Sequence, residues 1–241
     1  NNANIIANWY GKADTNISID GATKTIFGDI SDPNCVNQIL AENKDPFDYM
    51  FYATALGEVG VPISQANKES IDQSNRLSFD PILMLEEKLN IKTIVTYSTF
   101  YVIRHQLATY GAMGFSKEAI EKFTLEPGKS HHTCIRAGLF ESQSSRGIKL
   151  LLRKSAKNPE KIKDPLLKSY FLGKSSKEGI KEFEEGIFAE EKEAYGDCRT
   201  NSENLYQSHL TLFETNNPLF VNVCGKRIWL SKEPQLLKDY F

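Results

Sequence analysis

Short continuous apolar runs alternate along the chain with longer stretches whose apolar residues recur at helical spacing. "NIIA" at Asn4–Ala7 is one such run, ended by "NWYGK". "KTIFGDISDP" follows, and Asp32-Pro33 then opens an amphipathic segment, "PNCVNQILAEN", with Val36, Ile39 and Leu40 on one face and Asp32 suited to the N-cap. "FDYMFYATA" reads as a strand buried on both faces. "SIDQSNRLSFDPILMLEEKL" is helical, with Pro81 interrupting it, and "IKTIVTYST" is the next buried strand. "SKEAIEKFTLE" predicts a helix with Ser116 near its N-cap and Glu118 in the first turn, where the helix dipole favours a carboxylate. "HHTCIRAGLF" returns to strand character.

This alternation predicts βαβ units: an α/β fold with a mostly parallel, doubly wound sheet and helices on both faces. "KTIFGD", "DYMFYA", "TIVTYS" and "TCIRAG" are expected side by side at its centre. From about Glu141 charged amphipathic helices take over. The Glu/Lys runs of residues 174–192 read as solvated faces. "PLFVNVCGKRIWLS" closes the pattern as a final strand, or as a hairpin turning at Gly225-Lys226. The expected organisation is a single domain, with residues 1–142 as a Rossmann-like nucleotide-binding core and 143–241 as a helical substrate-side region plus the final strand.

Bulk properties narrow the function only a little. The net charge is −2 and the Lys/Arg residues are scattered, which gives no electrostatic case for nucleic acid. No apolar run approaches a membrane span. Cys35, Cys134, Cys198 and Cys224 lie far apart and form no CxxC, as expected of small buried hydrophobes in a reducing, cytoplasmic compartment. His131 and His132 are adjacent and point to opposite faces of a strand, so no metal site is expected. The chain opens on "NNANII" and enters a strand almost at once, which suggests a processed or truncated polypeptide, or part of a larger chain.

Candidate chemistry centres on "TYGAMGFSKEAIEKF", Thr109–Phe123, which sets Tyr110 seven residues before Lys117. On a continuous helix seven residues make two turns, so both side chains face one way. Around this pair, features follow in a definite order. A strand ends in "GDISDP", and "FD" leads a strand into "YATALG". A helix carries "SNR", a strand ends at Ser98, and after the Tyr110/Lys117 pair a strand ends in "IRAGLFES". This order resembles the short-chain dehydrogenase/reductase superfamily, from roughly the start of the chain to about Ser142.

The resemblance implies a nicotinamide-dependent oxidoreductase acting on a carbonyl or an enoyl thioester. Tyr110 would be the proton donor, Lys117 would lower its pKa and hold the nicotinamide ribose, and Ser98 would orient the substrate oxygen. A phenol with a pKa of ~10 is a poor acid near neutral pH, and a neighbouring ammonium brings it down. The family's usual spacing is Tyr-x-x-x-Lys, but Met113 stands four residues before Lys117. The wider spacing is similar to that of the enoyl-acyl-carrier-protein reductases, which often carry a tyrosine near the serine position; Tyr97 and Tyr101 are available there.

By the same resemblance Asp29 and Ile30 would touch the adenine, and Asn75 would match the family's structural asparagine. Ala53, Thr54 and Ala55 stand where the family has Asn-Ala-Gly, and Ala137, Gly138 and Leu139 would flank the nicotinamide. Trp9, Tyr10 and Lys12 follow the strand at which the adenosine ribose would sit. No acidic residue occupies positions 8–12, and Lys12 could meet a 2′-phosphate, so the cofactor is NADP or NAD with a lean to NADP.

The sequence departs from the family in one respect above all. No GxxxGxG turn is present, and the first strand matches the family's second. The pyrophosphate would lose its helix-terminus site, and weak cofactor binding is expected. Two alternatives follow: a truncated or degenerate dehydrogenase-fold module with a structural or partner-binding role, and an extended-type nucleotide-sugar or thioester reductase. The expected partners are a small-molecule or thioester substrate and a second copy or larger chain, with no nucleic acid and no membrane.

Overall fold

The computed structural model describes residues 3–10 and 19–240, apart from the side chains of Gln143 and Ser144. Strands β1 (Ile6–Trp9) and β2 (Lys24–Phe27) form a parallel pair, Ile6 opposite Lys24. Helix α1 (Pro33–Glu42) starts where the sequence predicts, with the Asp32 carboxylate accepting from Asn34 N at 2.9 Å and Pro33 at its first position. β3 (Phe47–Tyr52) follows, then α2 (Lys68–Ser78), α3 (Asp80–Lys88) and β4 (Ile91–Thr99). The break at Phe79, just before Asp80-Pro81, divides the one long periodic stretch into two helices.

A short turn of helix, α4 (Arg104–Leu107), and then α5 (Met113–Phe123) lead to β5 (His131–Ala137). Four helices, α6 (Gln143–Ser155), α7 (Pro165–Phe171), α8 (Ser176–Tyr195) and α9 (Ser202–Glu214), separate β5 from β6 (Phe220–Cys224). β7 (Arg227–Ser231) returns antiparallel through a hairpin at Gly225-Lys226.

The larger sheet has the order β3-β4-β5-β6-β7, parallel through β6. Period-2 alternation sends neighbouring residues to opposite faces. Ile94, Cys134 and Phe220 join Ile120 and Phe123 of α5, with Ile82 and Leu85 of α3. Val95, Ile135, Val221 and Val223 meet Leu212 of α9. A third cluster lies under α6–α8, built on Leu152, Leu167, Phe171, Phe183 and Ile187.

Three sequence expectations are corrected. "KTIFGD" is not beside "DYMFYA": among the described residues β2 pairs with β1, and β3 is the edge of the larger sheet. Consequently β3 is not buried on both faces; Asp48, Tyr49 and Phe51 are exposed. The edge position removes one lateral neighbour, and on that face Tyr49 and Phe51 rest on each other and against Phe213 and His209 of α9. Finally, α5 starts at Met113, so Ser116 is interior and Glu118 lies beyond the first turn, where it accepts from Leu237 N at 2.8 Å.

Candidate functional site

The start of α5 decides how Tyr110 relates to Lys117. Gly111 adopts φ +49, the left-handed region, and breaks the helical path between them. Tyr110 forms an isolated parallel bridge with Val61, Gly111 N donates to Val61 O at 2.9 Å, and Gly60 N donates to Thr109 O at 2.5 Å. Tyr110 therefore sits in an extended turn ahead of α5. The seven-residue spacing is not two turns of one helix.

The Tyr110 ring packs beside Ile63, Tyr101, Val102 and Leu237. Burial pushes its phenol up to about 12. Among the described residues its hydroxyl makes no hydrogen bond to Ser98 or Lys117.

Lys117 lies on the sheet side of α5, 7% exposed. Its Nζ donates to Tyr97 O at 2.8 Å, one residue before Ser98, and burial holds its pKa below the ordinary lysine value. An ammonium has three hydrogens, so this bond leaves two for another acceptor.

Ser98 has a different partner: its hydroxyl donates to Glu121 Oε1 at 2.6 Å. Glu121, on the next turn of α5 after Lys117, is fully buried and holds Arg136 of β5 through Nε at 3.1 Å and Nη2 at 2.6 Å. Gln235 closes the group, giving its backbone N–H to Glu121 Oε2 at 2.7 Å and its side-chain amide to Oε1 at 2.9 Å. Glu121 escaped the sequence analysis, yet its i+4 spacing from Lys117 carried the signal, since both must face the sheet. Tyr97 and Tyr101 are committed elsewhere, Tyr97 to His209 Nε2 at 2.8 Å and Tyr101 to Gln235 O at 2.6 Å.

At the other strand ends the Asp29 carboxylate accepts from Ser31 N at 2.9 Å and Ser31 Oγ at 2.6 Å, which makes it a turn aspartate. Ile30 is buried in the core beside α1. Ala53 and Thr54 are exposed and Ala55 half-buried, so the turn after β3 is open. Asn75 is half-buried and accepts from Ser116 Oγ at 2.6 Å. Ala137 and Gly138 are buried, and Leu139 N donates to Glu191 Oε1 at 2.6 Å. Trp9 and Tyr10 are exposed; Lys12 lies outside the described residues.

Beyond the turn after β5 a cavity of about 160 Å³ opens among Leu139, Phe140, Lys149, Glu184, Phe188 and Thr200. Lys149 and Glu184 pair at 2.6 Å on its wall. A second, more open one of about 390 Å³ lies between the segment Val102–Leu107 and the end of α8. Ser98, Tyr110 and Lys117 line neither. Among the described residues no cluster of His, Cys, Asp and Glu could hold a metal, and no helix is long and apolar enough to cross a membrane.

No family model and no curated protein matches the chain. Solved structures do. An NAD+-bound xylitol dehydrogenase aligns at TM-score 0.58 with 10% identity, over 84% of this chain and 78% of that one. The enoyl-acyl-carrier-protein reductase (NADH) from Aquifex aeolicus VF5 aligns at TM-score 0.44 with 19% identity, over 57% of this chain and 61% of the other. A short-chain dehydrogenase family protein from Francisella tularensis aligns at TM-score 0.49 with 19% identity, over 76% and 71%. Relative to the Aquifex enzyme, the chain spans about three fifths of the length. The mostly parallel sheet with helices on both faces is a Rossmann-like fold, and the xylitol dehydrogenase shares it.

Proposed function

We propose that the protein is an NAD(P)H-dependent oxidoreductase of the short-chain dehydrogenase/reductase type, acting on a carbonyl or an enoyl thioester. The observation that carries this reading is Lys117, a buried ammonium at the carboxyl end of β4 with two hydrogens to spare, in a fold shared with a dehydrogenase whose structure holds NAD+. A bound nicotinamide would supply the hydride. Lys117 would hold its ribose, and Tyr110 would give its phenolic proton to the substrate oxygen, where negative charge would develop.

The residues present fit the nicotinamide-ribose end of such a cofactor. Lys117 offers donors, and the turn Ala137–Leu139 stands at the end of the adjacent strand. No glycine-rich turn lies within these 241 residues, so this stretch by itself is expected to bind the pyrophosphate end weakly. Asp29, Ile30, Ala53, Thr54 and Ala55 remain the proposed adenosine side, and NADP or NAD the cofactor.

Two observations favour a second reading, a dehydrogenase-fold module without catalysis. The Ser98 hydroxyl is committed to Glu121, and burial raises the Tyr110 phenol rather than lowering it. Tyr110→Phe separates the two. It removes only the phenol oxygen, so turnover of an enoyl thioester or carbonyl substrate with NADPH is expected to fall by about two orders of magnitude or more while the melting temperature holds. Met113→Tyr is not expected to restore it. Unchanged turnover in Tyr110→Phe overturns the role of Tyr110, and absence of turnover in the parent protein favours the module.

A further inference from the structure

The turn after β5 is held from behind by a residue that the proposed reaction does not use. Glu191, on α8, is fully buried. Its Oε1 accepts the Leu139 backbone N–H at 2.6 Å, a polar bond from this long helix to that turn. Its Oε2 is buried without a hydrogen-bond partner. Leaving a carboxyl oxygen unsatisfied inside a protein is costly, so packing must force this side chain into place. Gly138 shows how close the packing is. A Cβ there would lie 2.8 Å from Thr200 Oγ1 and 3.1 Å from both Glu191 Oε1 and Cys224 Sγ. Gly138 N also donates to Val223 O at 2.8 Å, which ties the turn to β6. Leu139, which Glu191 holds, and Thr200, beside Gly138, both line the cavity beyond the turn.

We propose that Glu191 is a positioning residue: by accepting the Leu139 N–H it fixes the turn Ala137–Leu139 as a rigid wall for the nicotinamide end of the cofactor. This rests on the oxidoreductase reading given above. This role gives Glu191 no part in the proton transfer itself. It acts through Leu139, whose backbone N–H would otherwise be free to turn toward solvent or toward a ligand. α8 carries it, so this bond couples the helical region to the end of β5.

Two variants test the proposal. Glu191→Gln keeps an acceptor oxygen for Leu139 N–H; Glu191→Leu fills similar space and offers none. The first readout needs no cofactor: amide hydrogen exchange at Leu139. Glu191→Leu is expected to speed it tenfold or more, confined to residues 137–141, and Glu191→Gln to leave it within threefold of the parent. The second is steady-state kinetics, in which Glu191→Leu is expected to raise KM for NADPH at least tenfold with kcat changed less than threefold, while Glu191→Gln restores the parent KM. Unchanged Leu139 exchange in the Leu variant overturns the proposal. So does faster exchange with an unaltered KM, which would leave Glu191 only a structural part. If the parent binds and turns over neither nicotinamide nucleotide, the oxidoreductase reading falls and the cofactor wall with it; the exchange data then still report whether Glu191 holds the turn.

Discussion

Glu191 shows most directly how a single side chain's surroundings set its chemistry. Burial pushes its carboxyl up to about 7, opposed by the Leu139 N–H and the Cys224 thiol. The folded protein thus holds this proton more tightly than the unfolded chain, whose carboxyl titrates near 4.5. The stabilisation is complete below that lower value and is lost as pH rises through about 7. A shift of this size corresponds to at most on the order of 3 kcal/mol. Glu191→Gln removes the titration, so between pH 5 and pH 8 the parent's melting temperature should fall further than that of the variant. Parallel pH profiles would show that the buried carboxyl is not the source. None of this was visible in the sequence, where "AEEKEA" reads as a solvated charge run. Burial of one glutamate among three charged neighbours depends on how α8 packs against the end of β5, which is tertiary information. Lys117 differs: by pattern alone it reads as a surface lysine, the family resemblance is what singles it out, and the structure buries it against β4.

At the scale of elements, hydrophobic period identified most helices and strands, because a helix needs one apolar stripe and a central parallel strand two apolar faces. It failed where backbone conformation overrides side-chain pattern. The segment Tyr110–Lys117 has helical spacing, but Gly111 is left-handed and its N–H is taken by Val61 O. Gly111→Ala decides between the two descriptions by sign. In a continuous helix alanine would stabilise by about 1 kcal/mol over glycine. In the left-handed turn it is expected to destabilise by about 1–2 kcal/mol from the backbone alone. The added Cβ would also run into the Glu58 carbonyl oxygen, so the loss should exceed that. Urea unfolding at constant m-value gives the measurement, and a gain in stability would restore the two-turn geometry that first suggested a catalytic pair. β3 illustrates the converse limit: "FDYMFYATA" is apolar enough for a central strand, but sequence does not say which neighbours it finds.

Across the whole molecule, one buried polar group ties together parts far apart in the chain. Glu121 of α5 meets Ser98 of β4, Arg136 of β5 and Gln235 near the C-terminus, and Arg136 continues to Asn222 of β6 at 2.8 Å. Phe220 lies beneath the guanidinium, 4.6 Å from its carbon to the ring centroid. Desolvating two full charges costs several kcal/mol per ion, which only dense hydrogen bonding offsets, and here both carboxylate oxygens and three guanidinium nitrogens are engaged. Such a pair is a poor source of net stability but is severe to break. Arg136→Met keeps the volume and leaves Glu121 charged, fully buried and short of its cation. The expected loss is about 3–5 kcal/mol by urea unfolding, a large part of what holds a domain of this size together. Adding Glu121→Leu to the same protein should recover much of that loss, because the stranded charge goes with it, although Ser98 and Gln235 then lose their acceptor. A cost under about 1 kcal/mol in Arg136→Met would show that this is not the desolvated ion pair its burial implies, and the group would then not tie β4, β5 and β6 together through charge.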